Sequence, residues 1–348
     1  MSARKIKVLF LTYPRIGLNL GGLEIQIQKT AEALQALGLE VIFYDPWRNQ
    51  LPEVDICHVF SIEGTLIYHI ERAVSIGKPV VLSPVFNSFA GKTWQTVLKA
   101  KLGHYIPGVY TDLKRARLML HAAACILPLN PDESRLLRLA FDLPAHKLRC
   151  VPNGIDLNFH SPDPHLFTQQ FGVRDFVLQV ASVEKRKNQL NLIKAMAGLP
   201  YPLVLIGKAS ASNQAYWEEC QAAAGENVLF VGQLEHSDPL LASAFAAAKL
   251  FVLPSYSEVM PLTLYEAALA GCQLAISRNV PLDPSIQAYT PLFDPDNPQA
   301  IAAVIDKAMQ TATHPAILQA VQQLPSWRDV GITLQQLYAE LLGMGDER

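Results

Sequence analysis

Twice along this chain the same alternation recurs: a short apolar run, a turn, then a stretch with apolar residues at helical spacing. It predicts parallel strands joined by crossover helices, because a parallel neighbour is reached only through a long connection. The first series is Ile6–Thr12, Val41–Tyr44, Ile56–Phe60, Pro79–Leu82, Ala124–Leu127 and Arg149–Val151. The second is Phe176–Ala181, Leu203–Ile206, Val228–Val231, Leu250–Leu253 and Leu274–Ser277. Helical stretches run from about Leu23 to Leu37 (stopped by Gly38), from Gln189 to Met196, and from Trp327 to about Leu342. Between the series, Asp156–Val173 breaks the pattern and carries Pro162, Asp163 and Pro164, as a linker does. A length of 348 residues suits two domains. The expected division is 1–163, 164–326 and a C-terminal helix over 327–348. One large doubly wound sheet is the alternative. In open sheets of this kind ligands lie beyond the carboxyl ends of the strands, so the residues after each strand are the candidates for chemistry.

Half the residues are hydrophobic and 17% are charged, which supports sizeable cores. A net charge of −2, with no long run of one sign, gives no nucleic-acid footprint. Cys57, Cys125, Cys150, Cys220 and Cys272 are scattered and odd in number. They read as small buried hydrophobes of a reducing compartment, not as a disulfide framework or metal site. No apolar run reaches the length of a membrane-spanning helix, and the opening run is too short for a cleaved leader.

The segment from Pro254 to Ala267 carries the most chemistry. It follows the apolar run Leu250–Leu253 and opens a helix at Pro261, with Glu258 before the turn and Glu266 inside the helix. A helix N-terminus offers free amides and partial positive charge, which suits a phosphate. A carboxylate on either side can take hydroxyls, the layout of a nucleotide-sugar. Gly21-Gly22 follows the first strand and lets backbone approach a phosphate, although a plain turn explains the pair equally well. It is not a complete G-x-G-x-x-G, which counts against a dinucleotide enzyme. Glu184–Asn188 is either a solvated charged loop or the place from which Arg186 and Lys187 neutralise a diphosphate. The Val151–Asp156 stretch reads first as a tight turn, with Asn153 a candidate ligand contact. His58 is either a satisfied structural histidine or a sugar contact. From Lys92 to His121, basic residues (Lys92, Lys99, Lys101, Lys114, Arg115, Arg117) face only Asp112, with Trp94, Tyr105 and Tyr110 interspersed. That stretch is a solvated face over core aromatics, or a surface for anionic headgroups or a phosphorylated acceptor.

Together these pieces resemble the retaining glycosyltransferases of the GT4 family. Its Gly-Gly-x-Glu corresponds to Gly21–Glu24 and its Val-Pro-Asn-Gly-Ile-Asp to residues 151–156. Its Arg-Lys-Asn corresponds to Arg186–Asn188, before Leu192-Ile193-Lys194-Ala195, and its E-x7-E to Glu258 and Glu266. The resemblance implies the α/β GT-B fold: two Rossmann-like domains facing each other across a cleft, with the C-terminal helix packing back toward the first. It implies that Glu258 holds donor-sugar hydroxyls and Glu266 the ribose. The segment Val259, Met260, Pro261, Leu262 and Thr263 meets the diphosphate. Lys187 and Arg186 neutralise the leaving group beside Gly21 and Gly22, and Gly232, Gln233 and Leu234 wall the base. Two departures stand out. Ser182 occupies a place where many members carry arginine, and Val85 lies where many carry a histidine that touches the sugar; Asn87 or His58 is then the substitute.

The implied activity is transfer from a UDP- or GDP-sugar to a glycan, lipid-linked or small-molecule acceptor, without metal or other cofactor, since protein cations do that job. The implied location is the cytoplasm, with peripheral contact at the inner membrane face through residues 92–121. A catalytically degenerate sugar-nucleotide-binding protein or a GT-B epimerase is the alternative.

Overall fold

A computed structural model of the chain describes residues 5–344, apart from residue 15 and segments 17–20, 46, 48–52, 89–92 and 105–110. The chain divides into two compact units, Met1–Gly154 with Pro325–Arg348, and Ile155–Leu324. Among the described residues the first unit holds strands β1 (Lys7–Leu11), β2 (Glu40–Phe43), β3 (Ile56–Phe60), β4 (Val80–Ser83) and β5 (Cys125–Ile126). They form a parallel sheet in the order β2-β1-β3-β4-β5. The second unit holds β6 (Phe176–Val180), β7 (Leu203–Ile206), β8 (Val228–Gly232), β9 (Ala248–Leu253), β10 (Gln273–Ser277) and β11 (Leu292–Phe293). These are parallel in the order β11-β10-β9-β6-β7-β8. Strands β3, β4 and β10 are buried at every position because helices cover both sheet faces, so they read as largely apolar runs instead of alternating ones.

Each sheet has one topological switch point, where the strand order reverses: β1/β3 in the first unit and β6/β9 in the second. Crossover helices leave on opposite faces there, and a crevice opens at the strands' carboxyl ends.

The boundary between the units lies at Gly154/Ile155, upstream of the expected 163/164. Ile155 and Phe159 already belong to the second unit's core, which carries the boundary past the proline-rich stretch. The chain re-enters the first unit at Pro325. Gly154 has to be glycine: a Cβ there would lie 2.4 Å from the Trp327 backbone. Asp156 then caps the short helix Leu157–Phe159. The helix Trp327–Leu341 opens on a capping box of Ser326 and Asp329. It packs against the first helix, Gly22–Ala36, where a Cβ on Gly331 would lie 3.0 Å from that of Ala33.

Two expectations differ in detail. Arg149–Val151 is not a strand; only Leu148 bridges to Ile126. The two-residue β11 was too short to show a period. Four cysteines are buried and Cys150 is exposed. Among the described residues no helix is long and apolar enough to cross a membrane.

Candidate active site

The segments after β6, β8 and β9 bring charged side chains to the carboxyl edge of the second sheet. The turn after β6 is pinned through its backbone. Gln179 donates to the Lys187 carbonyl at 3.0 Å, and the Tyr256 amide donates to that of Arg186 at 2.9 Å. Asn188, buried and left-handed at φ 58°, donates its side-chain amide to the carbonyls of Pro254 (3.1 Å) and Pro295 (2.8 Å). Asparagine tolerates that backbone better than most residues, so the helix Gln189–Met196 starts abruptly behind the turn.

This places Arg186 and Lys187 against the segment after β9. Lys187 Nζ donates to Glu258 Oε1 at 2.6 Å, and Arg186 Nη1 donates to Glu258 Oε2 at 3.1 Å and to the Ser257 carbonyl at 2.9 Å. Arg186 Nη2 donates to Glu184 Oε1 at 2.6 Å. Burial pushes the Glu258 carboxyl up, but Lys187 and then Arg186 outweigh it and hold the group below the usual carboxylate range. The result is an ionised carboxylate bridging two cations at the β6/β9 switch point.

The helix Leu262–Leu269 follows, with Pro261 at its N-cap and not at the expected first helical position. Proline has no side-chain oxygen, and no side chain caps this helix. Thr111, Asn130, Asp238, Asn297 and Ser326 each cap theirs. The opening amides of Leu262–Leu269 are therefore left to backbone, water or a ligand, which suits an anion. Val259 and Leu262 are buried, while Met260 and Thr263 are half-buried.

One turn further along, Glu266 is buried. Its Oε1 meets His236 Nε2 at 2.8 Å, and its Oε2 has no hydrogen-bond partner. A buried carboxylate oxygen without a partner is costly and marks a place that a donor fills. His236 lies in the segment after β8, which ends at Gly232 (φ 87°) and is followed by the exposed Gln233 and by Leu234, which packs on the core. The Phe159 ring packs 5.2 Å from that of His236. His236 ties the segment after β8 to Glu266. Sequence reasoning passed over it; its only signal was its place just after a strand's carboxyl end.

Comparisons with known proteins bear on the kind of enzyme and its fold. Residues 168–320 match the family "Glycosyl transferases group 1". The chain is 28% identical to the O-antigen chain mannosyltransferase B of Escherichia coli, over 93% of each chain. Its fold matches sucrose-phosphate synthase from Thermosynechococcus elongatus with a TM-score of 0.78 at 20% identity, covering 98% of this chain and all of that one. It matches Anabaena HepE in complex with UDP-glucose at 0.73 and 17% identity, covering 97% and 99%. The chain is a glycosyltransferase, and these findings support a GT4-like one.

The first unit of this glycosyltransferase presents a different edge. Gly21 and Gly22 open its first helix with room to spare: a Cβ on either would meet nothing within 4 Å, and neither takes a positive φ. His58 is not placed for a sugar. It is buried, with Nδ1 on the Tyr338 hydroxyl at 2.6 Å and Nε2 on Ser83 Oγ at 2.9 Å, stacked on Phe60. Burial lowers it to about 3, so it is neutral. Both ring nitrogens are occupied, and its work is to anchor the C-terminal helix. Asn153 is buried in the turn before Gly154. Asn87 is half-buried in the segment after β4.

Two left-handed residues other than glycine sit at neighbouring strand ends: Ser61 (φ 83°) after β3 and Val85 (φ 48°) after β4. A β-branched residue in that region is strained by about 1–3 kcal/mol and persists only where its surroundings impose it. Here the buried Glu133 does so, one oxygen accepting from the Phe86 amide and the other from that of Leu129, both at 2.6 Å. Burial raises Glu133 to about 7 against the pull of those two amides. Of the basic stretch, Lys92, Tyr105 and Tyr110 lie outside the described residues.

Proposed function

We propose that the chain transfers a sugar from a nucleoside-diphospho-sugar to a glycan or lipid-linked acceptor with retention at the anomeric carbon. One observation carries the reading: an uncapped helix N-terminus at a switch point, with the Lys187–Glu258–Arg186 cluster before it and the orphaned Glu266 oxygen behind it. The diphosphate takes the opening amides of Leu262 and Thr263. Glu266 Oε2 accepts from a ribose hydroxyl, and Gly232–Leu234 border the base. The donor sugar lies against Glu258.

Departure of the diphosphate breaks its bond to the anomeric carbon and leaves the electron pair on the phosphate. Lys187 and Arg186 stabilise the charge that builds there, in fixed positions before the reaction begins. Glu258 is not free to act as a nucleophile, since each of its oxygens accepts from a cation. The acceptor oxygen therefore enters on the face the phosphate leaves, and the departing phosphate takes its proton. No divalent cation is invoked, so turnover is expected to persist in a chelator.

The mannosyl activity named for the relative that spans 93% of the chain supports a mannosyl donor, and the UDP-glucose in the HepE complex supports a glucosyl one. A thermal-shift screen with UDP, GDP, ADP and CMP, then their sugar conjugates, decides between them, because a ligand of the folded state raises its apparent stability. One nucleotide should shift the wild type and lose its effect in Glu266→Ala. No shift with any of them overturns the reading. Val85, standing where many members have histidine, favours a second reading in which the donor binds without transfer. A nucleotide shift without turnover on any acceptor supports that reading, and donor conversion without acceptor supports an epimerase.

A further inference from the structure

We propose that Glu133 is a positioning residue for the acceptor, its carboxylate latching the segment Val85–Asn87 in the shape that takes a sugar and releasing it on protonation. Glu133 stands in the first turn of the helix Pro131–Phe141 and is buried. Its own amide donates to Oδ1 of the N-cap Asn130 at 2.8 Å. In a capping box its carboxylate would turn back to the Asn130 amide. Here the two oxygens accept from Leu129, one residue earlier, and from Phe86, 47 residues away. One oxygen thus reaches beyond the helix start to the segment after β4. Phe86 is held twice, its amide by Glu133 and its ring 5.4 Å from that of Phe141. Pro84, on the other side, is buried and has a fixed φ. Val85 is caught between them in left-handed backbone, and Asn87 follows at the carboxyl edge of the sheet. Strain of this kind gathers at ligand clamps.

The choice of side chain points the same way. Two amides need two acceptors, which a carboxylate offers and a glutamine does not. Burial nevertheless brings the group up from 4.5 to about 7, against the pull of both amides. The folded value lies above the ordinary one, so the native chain holds the proton more tightly, and the contribution of Glu133 to stability falls as the pH rises from 4.5 to about 7. A residue kept for the fold alone would be neutral; the ionised carboxylate serves something other than stability. Protonation puts an O–H where one acceptor stood. The Leu129 contact is local to the helix start, whereas the Phe86 contact works against the strain at Val85, so the Phe86 contact is the one that opens. The titratable groups nearby are Asp132 and Arg135 on the same helix, Cys150, whose thiol feels the Glu133 charge, and Lys99 and Lys101 on the packed helix Thr93–His104. All of them are exposed, and the segments 84–88 and 127–130 carry no charge, so burial and the two amides set the behaviour of Glu133.

The nature of the ligand rests on the glycosyl-transfer reading; the latch does not. The test is the affinity of the whole chain for methyl α-mannoside and methyl α-glucoside, followed by saturation-transfer resonance between about pH 6 and about pH 8 without nucleotide. If only the latched form binds, affinity follows the ionised fraction, from about nine-tenths at the upper limit to about one-tenth at the lower, roughly a tenfold loss. Glu133→Gln should bind as weakly as the wild type does at the lower limit and show no pH effect. Val85→Asn relieves the left-handed strain, so it should keep its affinity at the lower limit, and it tests the latch even if the glutamine variant does not fold. The melting temperature of the wild type should fall with rising pH relative to that of Glu133→Gln. The thermal shift by nucleotide should be the same in all three proteins. A wild-type affinity that is flat in pH, a pH effect that survives in Glu133→Gln, or no binding of either glycoside at the upper limit overturns the proposal. So does a loss of the nucleotide shift in Glu133→Gln, which would mark a general loosening of the fold. Absence of a nucleotide shift in the wild type overturns the glycosyl-transfer reading instead, and the pH profile of the glycosides still decides the latch.

Discussion

The two switch points of this molecule solve the same topological problem with opposite materials. At β6/β9 the strand ends lead into charge: Glu184, Arg186, Lys187 and Glu258 form a chain of ion pairs whose backbone is pinned by Gln179 and Asn188. In the first unit Gly21 and Gly22 have open space, and strands β1 and β3 meet through aromatic side chains, with Phe10, His58 and Phe60 packed edge to edge or stacked. Rigidity there comes from strained backbone at Ser61 and Val85. One edge is prepared electrostatically, as a site that must meet a developing charge has to be. The other is shaped by backbone, as suits a ligand recognised by form. This contrast makes the second unit the place to look for rate and the first the place to look for acceptor choice.

The contrast breaks most visibly at Lys187. Lys187→Ala removes one of two fixed cations, and turnover should fall on the order of 10²–10³. Initial rates at saturating donor check this; a fall of less than about tenfold would move the reaction centre away from β6/β9. Glu266→Ala comes next. It removes a buried charged acceptor, and nucleoside-diphosphate affinity should drop by about 1.5–3 kcal/mol, roughly 10- to 100-fold. Calorimetry should show Glu258→Ala with nearly unchanged affinity and lower turnover. His236→Ala should share part of the Glu266 loss in affinity, and His236→Gln should recover some of it through its side-chain amide.

Gly22→Ala sharpens the comparison from the other unit. Alanine meets no steric contact there and favours helix by up to about 1 kcal/mol, so the melting temperature should hold or rise. A drop in turnover without a loss of stability would mean that a ligand requires the glycine. Unchanged turnover would leave Gly21-Gly22 as a turn. His58 supplies a pH-dependent test of the first unit. Its folded value of about 3 lies below the ordinary 6.5, so the unfolded chain takes the proton first as the pH falls. The stability that His58 contributes is complete above 6.5 and is lost progressively down toward 3. Melting curves between those limits should be steeper in pH for the wild type than for His58→Gln.

Much of this was legible beforehand, for identifiable reasons. Strands buried on both faces announce themselves as apolar runs, so β3, β6, β7, β9 and β10 could be read almost to the residue. Glu258, Arg186 and Lys187 were visible as charges placed directly after such runs. What stayed hidden depends on contacts distant in sequence. His58 looked like a cleft residue because its strand ends near one; only the Tyr338 hydroxyl, 280 residues away, shows that it faces inward. Glu133 drew no reading from the sequence, and only the fold brings the Phe86 amide to it. His236 has no pattern of its own. The turn at Asn153-Gly154 read as chain reversal, whereas its glycine answers a close approach by Trp327.

That the C-terminal helix belongs to the first unit has a consequence for synthesis. The second unit is one continuous segment, Ile155–Leu324, and can close as soon as it has left the ribosome. The first unit, although its sheet is made earliest, lacks Tyr338 until the second unit has been made, and until then His58 Nδ1 and the surface of the first helix lack the contacts that the helix Trp327–Leu341 brings. The first unit is therefore completed only after the second, and a chain that stops before Trp327 leaves its opening sheet unsealed.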